Sequence, residues 1–146
     1  MKITIVAVGK LKDASLRAAI DEYWKRLTKY VQLAEIEIKD GSEEDVASRV
    51  ERLWPERGTV VALEVDGKSW SSAELARFVG RVQRDATGTL MFLVGGSYGL
   101  PKRVSQRAHE RLSLSAMTLP HRLARLVLVE QIYRAFTILR GEPYSH

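Results

Sequence analysis

Two short and almost wholly apolar runs constrain the fold of this chain more than any other feature. They are TVVALEV at 59–65 and TLMFLV at 89–94, and each is followed by a glycine-containing segment and a helical pattern. Near-continuous apolar strands of this kind are typical of a parallel sheet that is covered on both faces. Helices would supply those covers, so the two runs indicate an α/β domain.

Three further segments have the pattern of a strand. Lys2–Val8 is a β-branched run, Val31–Lys39 alternates as an edge strand does, and Leu112–Ser115 is a short alternating run. Asp66–Gly67 is predicted to end the third strand as a turn. With helical patterns between all five strands, the 146 residues predict one three-layer α/β/α domain with a mostly parallel sheet.

Helix starts and stops are marked by capping residues. Asp13 or Ser15 is placed to cap the first helix, and Ser42–Asp45 and Ser71–Glu74 have the form of capping boxes. A short helix is expected after Pro101. The last helix is predicted over 121–139, with Gly141 as its stop.

Composition excludes several kinds of site. The chain has no cysteine, which rules out disulfides and thiolate chemistry, and its three histidines do not form a dense metal-binding cluster. With so few ligands of that kind, we expect a protein that binds no metal. The apolar start MKITIVAVGK is too short for a signal peptide, so we also expect the protein to be cytoplasmic. A net charge of +5 favours encounter with polyanions such as RNA, although many ordinary soluble proteins share it.

The glycine-rich segment after the fourth strand, GGSYGLP at 95–101, indicates backbone that bends sharply or lies against a ligand. A plain surface loop is the alternative. The glycine spacing does not fit a dinucleotide-binding fingerprint. The triplet Gly67-Lys68-Ser69 is not a P-loop, because Ala62 stands where that motif needs its first glycine.

The last helix is apolar around most of its circumference, which is typical of a helix buried on more than one side. We expect one side to meet its own sheet and the other a second copy of the chain in a symmetric homodimer. Glu130 and Arg134 form an i,i+4 pair that is interpreted as surface support. His121, at the helix start, is expected to cap or hydrogen-bond rather than to catalyse.

Five segments in order resemble one family. They are MKITIVAVGKLKD, LEVDGKSWSS, FLVGGSYGLP, LSLSAMTLPHRLARLVLVEQIYRA and GEPY, and together they span essentially the whole chain. They resemble the RlmH family, SPOUT-class enzymes that methylate N3 of a pseudouridine, position 1915, in large-subunit ribosomal RNA. The resemblance implies a C-terminal trefoil knot, an obligate homodimer, S-adenosylmethionine as methyl donor and the assembled ribosome as substrate.

By the same resemblance, the cofactor site is carried over motif by motif. The implied cofactor-binding residues lie at three strand ends: Leu63; Gly95, Gly96 and Gly99; and Leu114, Ser115, Ala116, Met117, Thr118 and Leu119. Apolar side chains and glycine-rich backbone suit an adenine ring.

The predicted catalytic residues are Tyr144 and His146. The target N3–H is a weak acid, so the reaction needs a base or a group that stabilises negative charge. We expect the C-terminal tail, residues 140–146, to provide it across the dimer with nearby arginines. The family ends in Tyr-His followed by a basic residue, whereas this chain ends Tyr144-Ser145-His146.

Two other functions are compatible with the same residues: a non-catalytic ribosome- or RNA-binding dimer, and a SPOUT enzyme acting on transfer RNA. Several basic residues are candidates for RNA contact: Lys10, Lys12, Lys25, Arg103, Arg107 and Arg122.

Overall fold

The structure is a computed structural model that describes residues 1–85 and 88–144. Its strands are β1 (Lys2–Val8), β2 (Gln32–Ile38), β3 (Gly58–Ser69), β4 (Thr89–Val94) and β5 (Glu110–Ser113). Its helices are α1 (Ala14–Leu27), α2 (Glu43–Glu51), α3 (Ser72–Asp85), α4 (Lys102–Arg107) and α5 (His121–Arg140). Strands and helices alternate along the chain, as predicted.

The five strands form one sheet in the order β2-β1-β4-β3-β5, and every paired neighbour is parallel. The run at 89–94 is β4, which lies between β1 and β3 and is buried along nearly its whole length. The run at 59–65, predicted as a central strand, is part of β3, which lies between β4 and β5, so that prediction is confirmed, and β2 is confirmed at an edge.

Helices cover both faces of the sheet. Alternate β1 residues separate the two cores: Ile3 and Ile5 pack with α1, α3 and α5, whereas Val6 and Val8 pack with α2 and α4. This arrangement confirms the three-layer α/β/α class. The trefoil knot implied by the resemblance stays a prediction.

The predicted caps are present. The Asp13 carboxylate accepts from the Leu16 N–H at 3.0 Å, and the Ser71 hydroxyl and Glu74 carboxylate accept from each other's backbone N–H groups. Gly141 ends α5 in the left-handed region with φ +65°. Local sequence therefore decides where these helices begin and end.

Two predicted boundaries are wrong. Asp66–Gly67 does not end the third strand, because β3 continues to Ser69 with a register irregularity that sets both Leu63 and Lys68 opposite Leu112. Gly67 serves close approach instead of chain reversal: a Cβ there would lie 2.7 Å from the Arg111 carbonyl group. The last strand stops at Ser113, where the Ser113 hydroxyl donates to the Ser115 carbonyl and begins the turn.

α5 packs along α1 and α3, over the sheet. Its own protomer buries Leu128, Ile132 and Phe136, so much of the apolar circumference is used within one chain. Leu123, Ile138 and Leu139 remain exposed. The second copy expected on that side stays a prediction. Among the helices that the structure describes, none combines the length and apolarity needed to cross a membrane.

Candidate functional site

A cleft of about 550 Å³ opens at the carboxyl end of β4, beside Leu63 in the middle of β3 and the start of α5. This is the edge where ligands collect in parallel α/β sheets, and the volume falls in the range of small-molecule sites. The lining residues are Leu63, Val94, Gly95, Gly96, Ser97, Gly99, Thr118, Leu119, Pro120, His121, Arg122 and Ala124.

One wall of the cleft is glycine backbone. The chain reverses between Gly96 and Gly99, where the Gly99 N–H donates to the Gly96 carbonyl at 3.0 Å and Gly99 has φ +79°. A Cβ on Gly95 would lie 2.6 Å from the Gly99 carbonyl carbon and 2.8 Å from the Leu100 nitrogen. Gly95 is therefore required by packing, and the wall presents peptide groups to a ligand.

The cleft brings together six of the ten predicted cofactor-binding residues, one within β3 at its register irregularity, three in the glycine segment and two in the loop before α5. These six are Leu63, Gly95, Gly96, Gly99, Thr118 and Leu119.

The other four do not line this cleft. Leu114 lines a smaller neighbouring cleft with Trp70 and Val127. The Ser115 hydroxyl accepts from the Met117 N–H at 3.0 Å, which tightens the turn, and the Met117 side chain is 79% exposed. Ala116 is exposed in the same turn.

The start of α5 forms another part of the cleft wall. Pro120 occupies the N-cap position and provides no side-chain cap, so His121 is the first helical residue and does not have the predicted capping role. Arg122 is exposed on the same wall. Within residues 1–85 and 88–144, no group of acidic and histidine side chains could hold a metal ion.

Tyr144 lies in a second cluster, farther along α5. Its hydroxyl donates to the Glu130 carboxylate at 2.9 Å and lies 3.3 Å from the Tyr23 hydroxyl. Arg134 pairs with Glu130 at 2.7 Å and stands over the Tyr144 ring. The interpretation of Glu130–Arg134 as surface support was incomplete, because this half-buried pair is where the tail is anchored.

The tail is also held at Glu142, two residues before Tyr144. Tyr30 hydrogen-bonds the Glu142 carboxylate, and the Glu142 N–H donates to the Thr137 carbonyl at 2.8 Å. The segment up to Tyr144 is therefore folded back along α5. The predicted catalytic residue His146 lies outside the described residues, as does Ser145.

The two clusters are separate within one protomer. Glu130, the partner of Tyr144, is nine positions beyond His121 on α5, which corresponds to roughly 13 Å along a helix axis. Tyr144 is therefore not beside the cleft of its own chain.

Burial raises the pKa of Tyr144 well above its ordinary value, and hydrogen bonds with Tyr23 and Glu130 raise it further. Burial, reinforced by Glu142, likewise raises the pKa of Tyr30 to about 12. Tyr144 consequently holds its proton at neutral pH. Its chemistry is that of a hydrogen-bond donor and not that of a base.

These tyrosines predict an alkaline weakening of the tail. Because their folded pKa values exceed the ordinary 10.0, their stabilisation is complete below pH 10 and is lost as the pH rises toward about 12 for Tyr30. An absorbance titration should show a late tyrosinate step that Tyr30→Phe diminishes. Tyr98→Phe, which alters an almost fully exposed ring, should leave that step intact. An unchanged titration curve in Tyr30→Phe would contradict the assignment.

A charge network centred on buried Arg125 underlies the first turns of α5 and was missed from the sequence. Arg125 is 2% exposed and donates to Glu35 at 3.0 Å, to Glu37 at 2.6 Å and to the Gly9 carbonyl at 3.0 Å. Arg17 makes a two-bond contact with Glu35. Burial alone would raise the pKa of Glu37, but the Leu11 N–H and Arg125 outweigh it and hold that pKa below its ordinary value.

Comparison with known proteins places the whole chain within one group of sequences. The sequence model of a family described as "Predicted SPOUT methyltransferase" matches residues 1–146. A protein of Sorangium cellulosum is 49% identical over 146 residues, covering 100% of both chains. Proteins of Carboxydothermus hydrogenoformans and Clostridium kluyveri are 44% and 41% identical over 157 residues, covering 99% of both chains. All three are named ribosomal RNA large subunit methyltransferase H.

A solved structure shares the fold. A probable methylase family protein from Haemophilus influenzae Rd KW20 superposes with a TM-score of 0.54 at 12% identity. The match covers 95% of this chain and 66% of that one, so the present chain spans slightly less than two thirds of its length.

Proposed function

Because the chain belongs to the SPOUT methyltransferase family, and within it to the ribosomal RNA large subunit methyltransferase H group, we propose that it methylates N3 of a pseudouridine in 23S ribosomal RNA. The methyl donor in this proposal is S-adenosylmethionine. The site of action is the large subunit or the assembled ribosome, in the cytoplasm.

The observation that carries the proposal is the cleft beside Leu63 of β3 and the carboxyl end of β4. Leu63 and Leu119 offer apolar contact, and the peptide groups of Gly95, Gly96 and Gly99 offer hydrogen bonds, which together suit an adenine and its ribose. Thr118 lies on the same wall. Leu114, Ser115, Ala116 and Met117 precede it in one loop, and we assign them to the site through that loop's backbone.

The donor supplies an activated methyl group on a sulfonium, so the protein has to bind, orient and manage charge. Methyl transfer forms a bond to N3 of the pyrimidine and releases the thioether. The N3 proton must leave, and we assign its acceptance to His146. Tyr144, which keeps its proton, and Arg134 are suited to stabilise the negative charge that develops on the base.

Dividing these roles between the cleft and the tail cluster requires two protomers. Since Tyr144 and Arg134 are remote from the cleft of their own chain, we propose a homodimer in which one protomer's tail cluster meets its partner's cleft. The outward side of α5, with Leu123 and Ile138 exposed, is the proposed seam. Burial of that side would complete the all-round apolar pattern of the helix.

A calorimetric titration with S-adenosylmethionine tests whether the chain binds the methyl donor, since a non-catalytic RNA-binding dimer would show no saturable binding. Mass spectrometry of ribosomal and transfer RNA from a strain lacking the gene tests which RNA is the substrate. We expect N3-methylpseudouridine to disappear from 23S RNA and to return on complementation. Persistence of that nucleoside, or a loss confined to transfer RNA, would overturn the proposed substrate.

A further inference from the structure

We infer that the loop between β1 and α1, residues 9–13, is an RNA-phosphate-binding element beside the cleft, and that buried Arg125 and its partner Glu37 are the positioning residues that hold it. We call this segment the lysine loop, after Lys10 and Lys12. The inference rests on the proposed function in taking RNA as the substrate, and it assigns the residues that contact that RNA.

The lysine loop leaves the sheet next to the cleft. β1 and β4 are paired, with Ala7 opposite Val94, so both strands end at the same edge. The side chain of Val8 lies 3.2 Å from where a Cβ on Gly96 would be. A polyanion that reaches the cleft from this side must therefore pass the lysine loop.

The path of the loop is determined by the network beneath it. The Arg125 guanidinium donates to the Gly9 carbonyl at 3.0 Å, which ties the start of the loop to α5. One Glu37 oxygen accepts from Arg125 at 2.6 Å and from the Leu11 N–H at 2.8 Å. Backbone on either side of Lys10 is thus attached to one ion pair, whose arginine is buried.

The arginines of the network are fully matched by carboxylates, so the positive charge of this region comes from the loop. Arg17 and Arg125 pair with Glu35 and Glu37, and Arg17 also pairs with Asp21 at 3.1 Å. Lys10 and Lys12 are exposed, and in the part of the chain that the structure describes neither lies within salt-bridge distance of a carboxylate.

Nearby charges give the cleft one basic side. Arg122 adds a third exposed cation at the start of α5. The loop's own acid, Asp13, caps α1. Asp40 and Glu43 line a smaller cleft that shares Gly96 and Gly99 with this one, on the other side of the glycine segment. Phosphates are therefore expected on the side of the lysine loop.

Two other basic candidates are engaged elsewhere. Arg103 is paired with both Glu44 and Glu51, and Arg107 stands over the Trp54 ring. Both belong to α4, on the face of the sheet opposite α5. Their contacts connect α4 to α2 and leave less charge for RNA.

The first test measures binding of the full chain to a fluorescein-labelled RNA stem–loop over a potassium chloride series, by fluorescence anisotropy and without methyl donor. Lys10→Gln combined with Lys12→Gln should lower the slope of log affinity against log salt by about 2, because each lost phosphate contact removes about 1. The matched control combines Lys2→Gln with Arg57→Gln, which remove the same charge from exposed residues at the amino-terminal ends of β1 and β3. Equal slopes in the two double variants would overturn the inference.

The second test separates positioning from charge. Glu37→Gln removes a negative charge, so electrostatics alone predict tighter RNA binding. Positioning predicts the opposite, a severalfold weaker binding with faster hydrogen exchange at the Leu11 amide. Binding that is unchanged or tighter would refute the role of Glu37, and circular dichroism would verify that the variant is folded.

Failure of this inference can be distinguished from failure of the proposed function. S-adenosylmethionine affinity, measured by calorimetry, should stay within about twofold of the wild type in all three variants, since none alters a residue of the cleft. A wild type that binds no S-adenosylmethionine would count against the methyltransferase proposal, while the comparison of salt slopes would still decide whether the lysine loop contacts RNA.

Discussion

Removal of residues 144–146 is expected to abolish methyl transfer, by roughly 10²–10⁴-fold, which is the range that proton transfer and charge stabilisation contribute. Binding of S-adenosylmethionine should change little, because Tyr144 contacts Glu130 and Tyr133 and does not line the cleft of its own chain. Single-turnover methylation of large subunits and a calorimetric titration would measure the two effects separately. Full turnover by the truncated chain would exclude the tail from the reaction.

Single substitutions in the tail and in its α5 partner Arg134 separate the contributions of individual groups to this loss of rate. Tyr144→Phe keeps the ring on Tyr133 but removes the hydrogen bond to Glu130, so a loss of rate there reports on the donor. Arg134→Lys retains the charge and tests whether the guanidinium geometry matters. If His146 accepts the N3 proton, His146→Ala should also remove the lower-pH limb of the rate profile.

Gly95→Val is expected to weaken S-adenosylmethionine binding by at least tenfold. A Cβ at this position would lie 2.6–2.9 Å from backbone atoms of Gly99 and Leu100, so the glycine segment has to open and the cleft wall moves. Overpacking against backbone costs about 1–3 kcal/mol before any ligand contact is lost. Calorimetry would give the affinity, and thermal unfolding would report how much of that cost falls on the fold.

Tyr98→Phe is the matched control, since Tyr98 lies in the same glycine segment but does not line this cleft, and its side chain is 98% exposed. Its affinity should equal that of the wild type. Wild-type affinity in Gly95→Val would remove the glycine segment from the site.

Removal of residues 144–146 and Gly95→Val, placed in separate chains, test whether the site is shared between protomers. Mixing truncated chains with Gly95→Val chains should restore part of the activity, because a heterodimer contains one intact cleft opposite one intact tail. Absence of any recovery, with subunit exchange verified, would mean that each tail serves its own chain's cleft.

Local patterns predict the elements of this fold well and their long-range arrangement poorly. Apolar runs identified β3 and β4, and side-chain oxygens identified the caps at Asp13 and Ser71. The misplaced end of β3 has a physical cause: glycine permits both chain reversal and close approach, and only the position of Arg111 in space decides between them.

The charge network shows the same limit. Glu35 and Glu37 alternate with apolar residues, as solvent-facing positions of an edge strand do. Their partner Arg125 is about ninety residues away in the chain, so no local signal could reveal that it is buried.

For the candidate site, resemblance indicated the cleft more fully than residue patterns did. The spacing of its glycines alone indicates that the glycine segment bends sharply or lies against a ligand, and in the structure this segment lies beside Leu63 and Leu119. The fold-back of the tail was not predictable, because it depends on Tyr30 and Glu142, which are far apart in sequence.

The position of α5 has a consequence for how the protein is made. Leu128, Ile132 and Phe136 complete the core under α1 and α3, and the loop just before this helix supplies one wall of the cleft. A nascent chain still lacking these residues has neither that wall nor a filled core. Ligand binding and cooperative folding therefore depend on the same segment, so chains that stop before residue 118 should be both inactive and readily degraded.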